Sequence, residues 1–144
     1  MANLKNKVAI VTGSSRGLGK AVAKLLALNG ANVVINYSSN KIQADEVVSE
    51  IVQSGGQAFA IQADISNPAE ITKLFDQTIE RYGQIDIVIN NAGIMITKFT
   101  RDTSEEDFDR TFSINTKSVF FSMREAATKM ADNGRIINIS SSVT

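Results

Sequence analysis

Cysteine and histidine are both absent from the 144 residues, and proline occurs once. Without cysteine there is no disulfide framework and no thiolate metal site. Without histidine no imidazole can serve as general base or metal ligand. A single proline, with no low-complexity tract, argues against a disordered chain. Charge of one sign is also lacking: 15 basic residues balance 15 acidic ones, so neither a nucleic-acid surface nor a membrane-binding face is expected. No apolar run is long enough to span a bilayer, and the N-terminus lacks a secretory pattern. The expectation is one cytoplasmic domain with enough chain to bury a core.

What is present is concentrated in one stretch, Val11-Thr12-Gly13-Ser14-Ser15-Arg16-Gly17-Leu18-Gly19. The apolar run Val8 to Val11 leads in, and Leu18, Ala21, Val22, Leu25 and Leu26 lead out at helical spacing. Glycines let main chain approach a ligand with no Cβ in the way. The start of a helix adds free N–H groups and the positive end of its dipole, so the natural occupant is a phosphate. The spacing is G-x-x-x-G-x-G, not the G-x-G-x-x-G of the commonest dinucleotide fingerprint. No Lys-Ser/Thr pair follows the last glycine, which excludes a P-loop. Glycine clusters also make plain turns; the flanking strand and amphipathic helix favour a nucleotide.

Strands are predicted over Lys7 to Thr12, Asn32 to Tyr37, Ala58 to Ala63, Ile85 to Asn90 and Arg135 to Ser140. Between them lie a helix from Gly17 to Asn29, a second with Ala44, Val47, Val48, Ile51 and Val52 on one stripe, and a third begun by Ser66-Asn67-Pro68. The third carries the stripe Ile71, Leu74, Phe75, Thr78, Ile79, Tyr82, and Gly83 stops it. Ser104 and Asp107 form a capping-box pattern, so the acidic cluster there reads as the start of a helix, not a metal site. That fourth helix runs from Ser104 to Ala131 with an internal irregularity. Strands separated by helices imply an α/β fold: a doubly wound parallel sheet with helices on both faces, three layers in all. In such sheets ligands lie beyond the C-terminal strand ends, where strand order reverses. The unusual clusters of this chain all fall there: Gly13 to Gly19, Asn36 to Ser39, Asp64, Asn91 to Gly93, and Ser140 to Ser142.

Together, Thr12-Gly13-Ser14-Ser15-Arg16-Gly17-Leu18-Gly19, Asp64, Asn90-Asn91-Ala92-Gly93, Asn115 and the serines after Ile136-Ile137-Asn138-Ile139 resemble the short-chain dehydrogenase/reductase family. The likeness covers the whole chain and is strongest to its 3-oxoacyl-carrier-protein reductase branch. It implies a Rossmann-like sheet of order 3-2-1-4-5, a nicotinamide cofactor, and hydride exchange between a small carbonyl substrate and an alcohol. It also implies a homo-oligomer, dimer or tetramer. The family works with Asn, Ser, Tyr and Lys: Tyr transfers the proton, Lys lowers its pKa, Ser bonds the substrate carbonyl, and Asn positions a water. Asn115 and Ser141 match the first two of these residue types. The cofactor positions implied are Gly13, Ser15, Arg16, Gly17, Leu18 and Gly19 in the turn, and Asn36, Tyr37, Ser38 and Ser39 after strand two. Ala63, Asp64 and Ile65 follow strand three, with the Asp64 carboxylate accepting from the adenine amino group and Ile65 beside the ring. Asn91, Ala92 and Gly93 let the cofactor lie against main chain.

Plainer readings stand beside these. Asn115, on one face with Phe108, Thr111, Phe112, Ser118 and Val119, reads equally as a satisfied core amide or a kink. Asp64 can be a turn residue, Asn91-Ala92-Gly93 a tight turn, Ser141 strand-end loop, and Arg16 a solvated side chain. The sequence also departs from the family: no Tyr-x-x-x-Lys follows Ser141, and the only tyrosines are Tyr37 and Tyr82. The chain therefore reads as the N-terminal portion of a reductase, without the later strands and inactive by itself. Its fifth strand would be a raw edge prone to self-association. The competing reading is a short nucleotide-binding or interaction module with no redox role. NADP(H) is expected over NAD(H): an NAD site offers a carboxylate about 20 residues past the glycines, whereas Asn36-Tyr37-Ser38-Ser39-Asn40 has none before Asp45. Arg16 can supply a cation for a 2′-phosphate, and Ser38 and Ser39 can donate to it.

Overall fold

The computed structural model describes residues 3–141. Its strands are β1 (Val8–Val11), β2 (Asn32–Tyr37), β3 (Gln57–Gln62), β4 (Ile87–Asn90) and β5 (Arg135–Asn138). The helices are α1 (Gly17–Leu28), α2 (Lys41–Gln53), α3 (Pro68–Tyr82), α4 (Glu105–Phe112) and α5 (Ser118–Lys129). A single π-helical turn, Ser113–Lys117, joins α4 to α5. All strand pairs are parallel, in the order β3-β2-β1-β4-β5. Strand order reverses between β1 and β4, which share the register Val11↔Ile89.

Alternation along the strands divides the core in two. Ile10, Val34 and Val88 face Leu74 and Phe75 of α3 and Ala126 of α5. Their neighbours Val11, Val33, Ile35 and Ile89 face Ala23 and Ala27 of α1 and Val47 and Ile51 of α2. The result is the expected three-layer α/β sandwich, with α1 and α2 on one face and α3 and α5 on the other.

Helix starts follow local chemistry. Asn40 Oδ1 accepts from the Gln43 N–H to cap α2, and Asn67 Oδ1 accepts from Ala69 ahead of α3, where Pro68 takes the first helical position. Ser104 and Asp107 close the anticipated capping box on α4. Gly83 ends α3 in the left-handed region.

Several boundaries differ from the sequence expectation. β1, β4 and β5 are shorter than their apolar runs, and β3 begins and ends one residue earlier. Ile85 is buried although it precedes β4: burial and ladder pairing are different requirements. Val52 leaves the α2 stripe and is 54 % exposed, because Ile51 and Val47 already fill the contact with the sheet. The long fourth helix is broken by the π turn.

At the N-terminal ends of β1 and β4, opposite the reversal point, Asp86 is buried. It accepts from Lys7 Nζ at 2.9 Å, the Val8 N–H at 2.9 Å and Gln84 Nε2 at 2.8 Å. Burial pushes its pKa up, but the bonds from Lys7, Val8 and Gln84 outweigh this and leave it below the ordinary carboxylate value. That carboxylate ties the first strand to the fourth and leaves their other ends to form the site.

Candidate functional site

The C-terminal strand ends open onto a cleft of about 840 Å³. Its floor is built by three short segments that hold one another. Thr12 Oγ1 accepts from the Asn91 and Ala92 N–H groups at 3.0 and 3.1 Å. Asn91 Nδ2 donates back to the Thr12 and Gly13 carbonyls. Asn36 joins the same floor from β2: its Oδ1 accepts from the Gly13 N–H at 3.2 Å, and its Nδ2 donates to the Ala63 carbonyl at 3.1 Å. The glycine turn is thereby tied to the exits of β2, β3 and β4.

The turn needs its glycines for different reasons. Gly13 has φ +61°, and a Cβ there would lie 2.9 Å from Ala92 Cβ. Gly17 has φ +56° with nothing within 4 Å of a Cβ position, so its main chain faces open space. At Gly19 the constraint is packing against Asn91 and the carbonyl of Gly13.

Helix α1 differs from α2, α3 and α4 at its start. Those three carry a side-chain cap, whereas the N-cap of α1, Arg16, makes none. Among the described residues the N–H groups of Gly17, Leu18 and Gly19 find no acceptor. Three donors and the positive end of a helix dipole therefore point from α1 toward the cleft, a site for an anion supplied from outside the chain.

All sixteen residues expected at a cofactor line this one cleft. They are Gly13, Ser15, Arg16, Gly17, Leu18 and Gly19 from the turn; Asn36, Tyr37, Ser38 and Ser39 from β2; Ala63, Asp64 and Ile65 after β3; and Asn91, Ala92 and Gly93 after β4. Their roles are not equal. Asn36 is 2 % exposed, with its amide committed to the floor. Tyr37 is 7 % exposed, its side chain part of the core beside α1 and α2. Arg16, Ser38 and Ser39 are exposed. Among the described residues Asp64 is the only carboxylate in the lining, and its Oδ1 accepts from the Ser66 N–H, the turn role anticipated for it. Asp45, the first acid beyond β2, is paired with Lys41 and lies outside the cleft.

Asn115 and Ser141 do not line the cleft. Asn115 sits in the π turn. Its Oδ1 accepts from the Ile94 N–H at 2.9 Å, and its Nδ2 donates to the Ile94 carbonyl at 2.8 Å. It is exposed, not on an inward stripe, and Phe108 and Phe112 are half exposed as well. The satisfied amide and the irregular helix are thus one feature, joined to the β4 exit through Ile94, which does line the cleft. Ser141 is exposed, three residues past β5, whose Asn138 accepts from Asn90 Nδ2 at 2.8 Å. Ser142, the last of the serines noted in the sequence, lies outside the described residues.

Sequence reasoning missed a fourth wall: Arg110, Ser113 and Ile114 reach the cleft from α4 and the π turn. Nothing in a helical stripe marks which turn will overhang a distant strand end. Asn40, Gln43 and Ser66, adjacent to positions already singled out, also contribute.

A sequence model of the short chain dehydrogenase family matches residues 7–144. A versicolorin reductase of Emericella nidulans is 46 % identical over 138 residues, which cover 96 % of this chain and 52 % of that protein. The structure of a short-chain dehydrogenase/reductase from Serratia marcescens BCRC 10948 superposes with a TM-score of 0.93 at 40 % identity, over 96 % of this chain and 57 % of that one. A short chain dehydrogenase from Burkholderia cenocepacia J2315, solved in complex with NADP, does so with a TM-score of 0.91 at 39 % identity, over 94 % and 56 %. The chain spans about half the length of the curated relatives it matches.

Proposed function

The chain belongs to the short-chain dehydrogenase family, and from that premise we propose that the protein is a reductase that uses NADP(H) to convert a small carbonyl to an alcohol. The observation behind the proposal is the uncapped start of α1, where Arg16 stands, facing a cleft whose β2 side carries serines and, among the described residues, no carboxylate. When bound there, the nicotinamide group supplies a hydride or accepts one.

The chain's own residues hold and orient. The N–H groups of Gly17, Leu18 and Gly19 hold the diphosphate. Arg16 neutralises the 2′-phosphate, with donors from Ser38 and Ser39 beside it. Asp64 accepts from the adenine amino group, Ile65 packs beside the ring, and Ala92 and Gly93 leave room for the ligand to rest on main chain. Ser141 bonds the substrate carbonyl, and Asn115, fixed through Ile94, positions a water. No Tyr-x-x-x-Lys follows Ser141 in these 144 residues, and on this reading the 144-residue polypeptide alone is expected not to turn over. The whole protein works as a cytoplasmic homo-oligomer, a dimer or tetramer. The Burkholderia relative with NADP supports the cofactor class.

Fluorescence titration of the full-length protein tests this. NADPH is expected to bind more tightly than NADH. Arg16→Ala is expected to weaken NADPH by about tenfold or more, the loss of a charge-assisted contact, with little effect on NADH. Equal or reversed affinities would refute the preference.

A further inference from the structure

Arg110 is the one cation on the wall of the cleft that sequence reasoning did not assign. It stands four residues, about one turn, before Ile114 on the same helical face, although the π turn begins between them. Ile114 packs on the buried cluster that includes Ala63 and Ile65, and it lines the cleft together with Asp64. Ile65 in turn borders a small void shared with Ser118 at the start of α5, so the segment after β3 and the π-turn region lie against each other. On this part of the chain Asp107 holds Lys98 and the N–H of Ser104, and Arg101 lies over Phe99, whereas Glu105, Glu106 and Asp109 make no ion pair among the described residues. Among the described residues the Arg110 side chain makes no ion pair or hydrogen bond and stacks on no aromatic ring.

The surroundings of this guanidinium decide what it suits. The anion-binding part of the cleft is at the turn, where α1 begins and Arg16 stands. Arg110 lines the same cleft as Ile65, Ile114 and Asp64, and that carboxylate would repel a phosphate placed beside it. A neutral aromatic ring satisfies all four groups: apolar contact from Ile65 and Ile114, an edge donor for Asp64, and a π face for a planar, weakly hydrated cation. We propose that Arg110 lays its guanidinium on the face of the cofactor's purine ring, in the part of the cleft that Asp64, Ile65 and Ile114 line. The proposal rests on the reading of the cleft as an NADP(H) site and adds to it a determinant of adenine recognition on the helix opposite the glycine turn.

The test is a set of titrations of the full-length protein with NADPH, NADH and adenosine 2′,5′-bisphosphate, which share only the adenosine and its 5′-phosphate; hypochromism of the bound ligand separates the two. Arg110→Ala is expected to weaken all three by a similar factor, about three- to thirty-fold for a cation–π contact. Arg110→Lys, which keeps the charge but not the plane, falls between. The ultraviolet hypochromism of bound adenosine 2′,5′-bisphosphate is expected to diminish in Arg110→Ala, a change that a purely structural role would not produce. If Arg110→Ala fails to fold, Arg110→Met keeps the aliphatic stem and is expected to show the same losses. Affinities within twofold of the parent, or a loss confined to the two ligands with a 2′-phosphate, would overturn the stacking assignment while leaving the cofactor reading intact. A parent protein that binds none of the three would instead overturn the cofactor reading itself.

Discussion

A methyl group on Gly19 would lie 2.5 Å from Asn91 Nδ2, 2.6 Å from the Gly13 carbonyl oxygen and 2.9 Å from Ser14 Cα. Two of these are backbone atoms of the turn, which cannot give without breaking its bonds to Asn36 and Asn91. Gly19→Ala is therefore expected to destabilise the fold by about 2–3 kcal/mol through overpacking and to abolish nucleotide binding. Gly17→Ala meets no atom and carries only the conformational cost of φ +56°, about 1 kcal/mol. Urea denaturation of the two variants checks the order; a larger loss at Gly17 would contradict it. These positions were legible in the sequence because a glycine turn between strand and helix has few other uses. Tyr37 shows the limit. Its place after Asn36 at a strand end marks it for the cleft, and it does line it, yet it is 7 % exposed and packs in the core cluster of α1 and α2. Arg110 was invisible for the opposite reason: its relevance depends on where α4 lands.

Among the elements, the α3–α5 pair shows how charge can be buried usefully. Glu125 is nearly buried and accepts from Lys129 Nζ at 2.8 Å, Thr72 Oγ1 at 3.0 Å and Arg124 Nη2 at 3.3 Å. The Lys129 bond is the chief cause of a pKa held below the ordinary 4.5; burial opposes it, and Thr72 and Arg124 assist. A carboxylate with a depressed folded pKa contributes stability that is complete above its unfolded value and disappears as pH falls through the folded one. Glu125→Gln is thus expected to cost about 1–3 kcal/mol at pH 7, with the gap to the parent closing below about pH 4.5. Thermal melts of both proteins from neutral to acid pH measure it, and a gap independent of pH would show that Glu125 acts by packing alone. The elements themselves were readable where apolar spacing was regular, as in α3 with its cap and its Gly83 stop. The π turn was readable only as an irregularity. Its form is tied to two hydrogen bonds between Asn115 and Ile94, twenty-one residues away in sequence, a partner that helical periodicity cannot reveal.

Over the whole molecule the two sheet edges are unequal. On β3, Phe59 is covered by Tyr82 in an edge-to-face contact and by the Arg81 guanidinium 5.2 Å above its ring. On β5 every residue is exposed, and among the described residues Ile136, Ile137 and, just beyond the strand, Ile139 have no comparable cover. Phe120, 60 % exposed, and the stacked pair Phe108 and Phe112 are further exposed apolar side chains, on α5 and α4. Unpaired ladder groups beside apolar side chains favour association with another chain. The 144-residue polypeptide is accordingly expected to exceed its monomer mass in light scattering, increasingly so at higher concentration. Ile137, 48 % exposed and paired in register only with Ile89, offers the discriminating change. Lysine there places a charge on the open edge without emptying the core, so Ile137→Lys is expected to shift the population toward monomer while the melting curve stays cooperative. A parent chain that remains monomeric at high concentration, or an Ile137→Lys variant that associates as strongly as the parent, would mean that this edge is protected by something other than a partner.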